Sequence, residues 1–159
     1  MTAATTLTRR AVLAALAGSA AIQPLAAGEA LPKVIVHRDP SCDCCGGWVK
    51  HIREAGFPVE VIETTELNRV KARLKVPQTL AACHTAELGA YVIEGHIPAP
   101  AIKKLLGEKP QAIGLAVPGM PVGSPGMDAG GAPPETYDVV LFGPGVQRTF
   151  ARYRGAHPI

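Results

Sequence analysis

The chain has 159 residues, of which 47% are hydrophobic and 18% are charged, and its formal net charge is +3. This length suits one domain, and the apolar fraction is ample for a hydrophobic core. Beyond the N-terminal segment the sequence contains no basic run and no aromatic-interleaved stripe, which argues against a nucleic-acid partner.

Residues 1–27 are predicted to be a cleavable export signal. The adjacent Arg9 and Arg10 precede an apolar run over 11–22, and small residues follow. This order resembles a twin-arginine signal, while ordinary secretory signals also carry arginines there, so both routes stay open. The run is too short and too weakly apolar to span a hydrocarbon core of about 30 Å, which predicts no permanent membrane anchor. The remaining residues, 28–159, are expected to form a single domain.

Along residues 28–159 the hydrophobic pattern predicts elements in the order β-α-β-α-β-β-α. The run over 33–38 is short and rich in β-branched residues, as in a buried strand. Apolar residues at helical spacing follow the cysteines, and Gly56 with Pro58 stops that helix. This order predicts an α/β fold with a small central sheet flanked by helices. The other predicted elements are strands over 59–63, 80–88 and 90–96 and helices over 66–74 and 100–106.

Two features are predicted for the C-terminal part. A segment rich in Gly and Pro, 114–134, shows no helical or strand period and is predicted to be a long loop. Loops of this length are usually functional or disordered. The segment 137–153 alternates around a Gly143-Pro144-Gly145 turn, which predicts a closing hairpin.

Three of the four cysteines lie in the stretch DPSCDCCGGW, residues 39–48. Cys42 and Cys45 have the C-x-x-C spacing between a strand and a helix, which is typical of thioredoxin-like redox proteins. The N-terminal end of a helix favours thiolate over thiol, which suits a reactive pair. A structural disulfide is also open, because an exported chain lives in an oxidising space, although this pair would close only a small loop.

Cys44 favours a metal site. A dithiol enzyme needs two sulfurs, and a third thiol beside them invites disulfide scrambling. Three packed thiols suit a soft metal ion, and thioether sulfur would favour copper(I) over zinc or iron. Met120 and Met127 each occur in a repeated Pro-Gly-Met within the predicted loop, which is a poor setting for core packing. The loop is therefore a candidate soft-ligand lid.

Further candidate donors lie between the cysteine-rich stretch and the loop. Cys83 is followed directly by His84, and His96 follows Gly95 at a predicted strand end. Neighbours on a strand point to opposite faces, so Cys83 and His84 can bind one centre only where the strand bends or ends. Cys83 is therefore the favoured candidate ligand, with His84 and His96 as secondary candidates.

A family resemblance rests on four stretches of the sequence. They are SCDCCGGWVKHIREAGF, LAACHTA, GAYVIEGHIPAPAIKKLL and GLAVPGMPVGSPGM. Together they closely resemble the CopG-like copper-resistance proteins, a family of small exported bacterial proteins with a thioredoxin-like fold. The resemblance covers nearly all of residues 28–159.

The resemblance implies periplasmic copper handling, with thiolates bridging a small copper(I) cluster and a redox activity on copper. Copper ions would be the ligands, and other periplasmic copper-handling proteins would be partners. By matching position, the implied cluster ligands are Cys42, Cys44, Cys45 and Cys83. The family's other motif segments contain His84, His96, Met120 and Met127.

Two functions are compatible with these residues. One is a periplasmic copper(I)-binding protein that serves copper resistance. The alternative is a thiol–disulfide oxidoreductase in which Cys42 attacks and Cys45 resolves. The two functions differ in the role that they give to Cys44.

We expect export to remove the signal between Ala26 and Ala30, where small residues cluster. Mass spectrometry of the periplasmic fraction should find a mature N-terminus in that window. A chain that keeps Met1 and stays in the cytoplasm would contradict the predicted signal.

Overall fold

A computed structural model describes residues 30–127 and 130–159. The predicted export signal, 1–27, lies outside the described residues. The described part is mixed α/β, with one open sheet of eight strands and three α-helices. None of these described helices is long and apolar enough to cross a membrane. The strands are β1 (Val34–Arg38), β2 (Val59–Glu63), β3 (His84–Leu88), β4 (Tyr91–Glu94), β5 (Gly114–Ala116), β6 (Thr136–Gly143), β7 (Val146–Arg154) and β8 (His157–Pro158); the helices are α1 (Asp43–Glu54), α2 (Leu67–Arg73) and α3 (Ala99–Glu108), and a 3-10 turn spans Gln78–Leu80.

The strands lie in the order β2-β1-β3-β4-β5-β6-β7-β8 across the sheet. β1 is parallel to β2 and antiparallel to β3, and β3 is antiparallel to β4. The predicted element order from β1 to α3 is confirmed, and β6 and β7 form the predicted hairpin.

The sheet is larger than the small one predicted, because it contains two strands that the sequence pattern does not indicate. β5 occupies Gly114–Ala116, so the predicted loop over 114–134 is wrong for its first three residues. A strand this short shows no periodicity, and it forms because β4 and β6 pair with it on both sides. Gly114 is required there, since a side chain would collide with the Val92 backbone. β8 extends the sheet by pairing with the end of β7.

Most of the core lies between one face of the sheet and helices α1 and α3. Trp48 and Ile52 from α1 are fully buried in it, as are Ile102 and Leu105 from α3. Full burial of a side chain of this size stabilises the fold by roughly 1.5–3 kcal/mol. Because side chains alternate along a strand, a second set of apolar residues faces the other way. This smaller cluster contains Leu80, Val92, Ala116 and Phe142.

Two hydrogen bonds join α1 to the chain that begins α3. The Trp48 indole N–H donates to the Ile97 carbonyl at 2.9 Å, and the Ala99 N–H donates to Nε2 of His51 at 3.0 Å. The imidazole thus supplies an acceptor to a first-turn amide that has none within its own helix. Burial lowers the pKa of His51, while the Glu54 carboxylate opposes the shift, so the neutral ring that accepts this bond is favoured.

We expect the junction between α1 and α3 to weaken as the pH falls, because protonated His51 cannot accept the Ala99 N–H. The folded pKa is the lower one, so the unfolded chain binds the proton first and stability is lost below the ordinary value of 6.5. His51→Gln keeps an acceptor oxygen at every pH. Between about pH 8 and about pH 5 the unfolding free energy of both proteins should fall. The fall should be about 1 kcal/mol smaller in His51→Gln than in the wild type, because one hydrogen bond contributes about that much. Urea unfolding across this range measures both losses, and equal losses would contradict the expectation.

Candidate metal centre

The candidate centre lies where β1 ends and α1 begins. Cys42 is the N-cap residue of α1, and its N–H donates to the Asp39 carbonyl at 3.0 Å, which closes the turn between strand and helix. The Arg38 guanidinium donates to the Cys42 carbonyl at 2.9 Å. The first turn of α1 therefore presents Cys44 and Cys45 beside Cys42, and the predicted strand–cysteine–helix junction is confirmed.

All four cysteine sulfurs meet at this junction. Cys42 and Cys45 are joined by a disulfide, whereas Cys44 and Cys83 are free thiols. The Cys44 sulfur lies 3.6 Å from the Cys42 sulfur and 3.9 Å from the Cys83 sulfur. The Cys83 sulfur in turn lies 3.7 Å from that of Cys45. The four sulfurs lie within 4.8 Å of one another, close enough to share metal ions.

His96 faces the same sulfurs through a defined ring nitrogen. Its Nε2 lies 3.0 Å from the Cys83 sulfur, and its Nδ1 lies 2.8 Å from the Pro125 carbonyl oxygen. A carbonyl oxygen only accepts hydrogen bonds, so Nδ1 carries the proton and Nε2 of the neutral ring has a free lone pair. That lone pair can accept the Cys83 thiol proton or bind a metal ion. A backbone partner that fixes the tautomer is typical of histidines that bind metals.

His84 joins the centre from the first position of β3. Its Nδ1 lies 3.3 Å from the Cys83 sulfur, and its fully buried ring lies 4.4 Å from the Trp48 ring. Cys83 itself lies just outside the strand, which is why the two neighbours need not point to opposite faces. Among the described residues, Nε2 of His84 has no hydrogen-bond partner. Buried polar atoms are usually paired, so an unpaired nitrogen in this cluster suits an added ligand.

The two loop methionines differ in what the structure shows of them. The Met120 sulfur lies 4.0 Å from the Cys44 sulfur, and 52% of this residue is exposed. For Met127 the structure shows backbone hydrogen bonds with Gly123 and Ser124, which form a turn in the loop. Met120 is therefore a thioether at the solvent-facing side of the sulfur cluster.

The loop is held against α1 by two glycines. A Cβ atom on Gly47 would lie 2.8 Å from the Gly126 Cα, closer than real side chains approach. At Gly46, by contrast, an added Cβ would meet nothing within 4 Å. Sequence reasoning missed Gly47, Gly126 and the Pro125 carbonyl as parts of the site. The paired glycines of the helix were the available signal, since glycine in a helix costs about 1 kcal/mol and needs a reason.

Burial controls the protonation of the donors. Burial, and then the charge of Cys44, raises the pKa of the Cys83 thiol to about 12. Burial lowers the pKa of His96, and burial together with His96 and Lys71 lowers the pKa of His84 well below its ordinary value. Both imidazoles are therefore neutral, which is the form that binds metals. The Cys83 thiol keeps its proton until a cation displaces it.

Comparison with known proteins identifies two similar solved structures, forms 1 and 2 of copper resistance protein CopG. The chain is 40% identical to each, and each aligns with a TM-score of 0.73. The match covers 79% of this chain and 99% of form 1, and 77% of this chain and 98% of form 2. A family profile described as a protein of unknown function, DUF411, matches residues 80–127, a range that contains Cys83 but not the cysteines of α1. No curated protein matches the chain.

Gly47→Ala is expected to displace the loop, because its methyl group would lie 2.8 Å from the Gly126 Cα. The cost should be about 1–3 kcal/mol of unfolding free energy, as for other overpacked sites. Gly46→Ala is the matched control, with open space at its Cβ and an expected gain of up to about 1 kcal/mol from helix propensity. Chemical unfolding measures stability, and amide hydrogen exchange over residues 119–127 should accelerate only in Gly47→Ala. Equal exchange in the two variants would contradict this role of the glycine contact.

Proposed function

The chain belongs to the CopG family of copper resistance proteins, and from that premise we propose that it is a periplasmic copper(I)-binding protein that serves copper resistance. The main support is the meeting of four cysteine sulfurs within 4.8 Å of one another. Thiolates select soft ions such as copper(I), and a neighbouring thioether adds to that preference.

The proposed donors come from four parts of the chain. The first turn of α1 and its N-cap residue contribute three cysteines, the start of β3 and the residue before it contribute His84 and Cys83, and the segment after β4 contributes His96. The loop after β5 adds Met120. We propose that bridging thiolates hold more than one copper(I) ion, with the imidazoles and thioethers completing the coordination. The proposed ligands are Cys42, Cys44, Cys45, Cys83, His84, His96, Met120 and Met127.

Copper binding by all four thiolates requires reduction of the Cys42–Cys45 disulfide. That reduction takes up two electrons and two protons and leaves four thiols. Each copper(I) ion then displaces thiol protons, because a metal-bound sulfur is deprotonated. The two neutral imidazoles need lose no proton to bind.

The same disulfide supports a redox activity on copper. Two copper(II) ions can take one electron each from the Cys42 and Cys45 thiols. Two protons are then released, one disulfide forms and two copper(I) ions result. Cys44, Cys83 and the imidazole of His96 remain beside the disulfide to hold the product ions.

A thiol–disulfide oxidoreductase is the second candidate function. The Cys42–Cys45 disulfide at the start of α1 favours it, with the more exposed Cys42 as the attacking sulfur and the buried Cys45 as the resolving one. The β2-β1-β3-β4 order, with β1 and β2 parallel, supports a thioredoxin-like assignment. Against a dedicated enzyme, Cys44 and Cys83 lie within 3.7 Å of the disulfide sulfurs and would compete in exchange.

We propose that residues 1–27 direct export and that residues 28–159 work as one domain in the periplasm. Copper ions would be exchanged there with other copper-handling proteins.

Cys44→Ser separates the two functions. It replaces a soft sulfur by a hard hydroxyl, so copper(I) affinity should fall by at least about tenfold, whereas the Cys42–Cys45 pair stays intact. Anaerobic competition against a chromogenic copper(I) chelator measures the affinity, and insulin reduction measures disulfide exchange. Gly46→Ala, on the same turn of the helix, is the control and should bind as the wild type does. Wild-type copper binding by Cys44→Ser, with exchange lost only on replacing Cys42 or Cys45, would favour the oxidoreductase.

A further inference from the structure

A buried ion pair lies behind the metal centre, on the other face of the sheet. Lys71 of α2 is 7% exposed and Glu94 of β4 is 0% exposed, and their Nζ and Oε1 atoms lie 2.5 Å apart. The Lys71 ammonium also donates to the Thr85 hydroxyl oxygen at 2.8 Å, and that hydroxyl donates to Oε2 of Glu94 at 2.6 Å. Thr85 and His84 are neighbours on β3, so this network and the His84 ring lie on opposite faces.

Stability alone does not account for this pair. Taking two charges out of water costs several kcal/mol for each ion, and apolar replacements of buried ion pairs are often no less stable. The desolvation is evident at Glu94, where burial raises the pKa of the carboxyl despite the opposing effect of Lys71. The carboxylate is therefore expected to have a further role that an apolar side chain could not fill.

The Glu94 carboxylate also contacts the residue before Cys83. Oε1 of Glu94 accepts the backbone N–H of Ala82 at 2.6 Å. Gly95 holds the same residue from another side, because a Cβ atom on Gly95 would lie 2.7 Å from the Ala82 Cβ. Ala82 is thus held by a partly buried hydrogen bond and by close packing, and both restrict the backbone that leads into Cys83.

We propose that Glu94 is a positioning residue, which fixes the backbone at Ala82 so that the Cys83 sulfur faces the other cysteines before any metal binds. Lys71 and Thr85 hold the carboxylate in place for this purpose. The benefit of this positioning rests on the proposed copper function. The positioning itself is a property of the metal-free protein and can be measured without copper. The hydrogen bond from the Ala82 N–H to Glu94, and not the negative charge of Glu94, positions Cys83.

Two double variants separate the hydrogen bond from the charge. Lys71→Met with Glu94→Gln removes both charges, yet the glutamine oxygen can still accept from Ala82 and its amide can donate to Thr85. Lys71→Met with Glu94→Leu also removes both charges but leaves the Ala82 N–H without its acceptor. Leu105→Ala in α3 is a third variant. It lowers stability by leaving a cavity in the main core, which lies on the other face of the sheet from the network.

The first measurement uses metal-free protein with the Cys42–Cys45 disulfide intact, where Cys44 and Cys83 are the free cysteines. Alkylation by iodoacetamide, followed by peptide mass spectrometry, gives the rate at each thiol. The two double variants lack the same charges, so they are compared with each other. In the leucine variant the Cys83 rate, relative to that of Cys44, should be roughly tenfold higher than in the glutamine variant, the effect of one lost hydrogen bond. Leu105→Ala should keep the wild-type ratio. Equal ratios in the two double variants, or an equal rise in Leu105→Ala, would overturn the proposal.

The second measurement uses reduced protein loaded with copper(I). X-ray absorption should count fewer sulfur neighbours per copper in the leucine variant than in the glutamine variant, because Cys83 no longer faces the cluster. Equal sulfur counts in the two variants would overturn the role in copper binding. If the wild type holds no copper(I), the proposed function fails, whereas the alkylation ratio still decides whether Glu94 positions Cys83.

Discussion

The candidate metal centre depends on one close contact, between the backbones of Gly47 and Gly126. Because neither residue has a side chain, the loop after β5 lies directly on the first turn of α1. In this position the Pro125 carbonyl meets His96, and the Met120 sulfur comes within 4.0 Å of the Cys44 sulfur. The loop thus sets the tautomer of one candidate donor and brings a second candidate donor to the cluster, and both effects depend on the absence of side chains at these two glycines.

Burial sets the protonation state of the candidate donors. It keeps His84 and His96 neutral and holds the proton on Cys83, so the metal-free site has little charge to place in a low-dielectric interior. Behind it, Lys71 and Glu94 compensate each other and add no net charge. A bound monovalent cation would balance the thiolate that it creates, so loading exchanges protons for metal ions and leaves the buried charge nearly constant.

Sequence reasoning was most successful where chemistry and periodicity coincide. The strand–cysteine–helix junction follows from a β-branched run, the C-x-x-C spacing and helical spacing after it, and all three are local. The convergence of Cys83 and Met120 with α1 was expected from their sulfur chemistry. The acceptor for His96 could not be expected in the same way, because a backbone carbonyl is the same at every residue. The Lys71–Glu94 pair also escaped notice, since two charged residues far apart in sequence are ordinarily on the surface.

The contact between Trp48 and His84 has an optical consequence. Trp48 is the only tryptophan in the chain, and its buried ring lies 4.4 Å from the His84 ring. Indole emission is quenched by protonated imidazole and by nearby metal ions, and it shifts in wavelength with the polarity around the ring. The protein therefore carries its own fluorophore beside His84, and we expect changes at His84 to alter the intrinsic emission without an attached label.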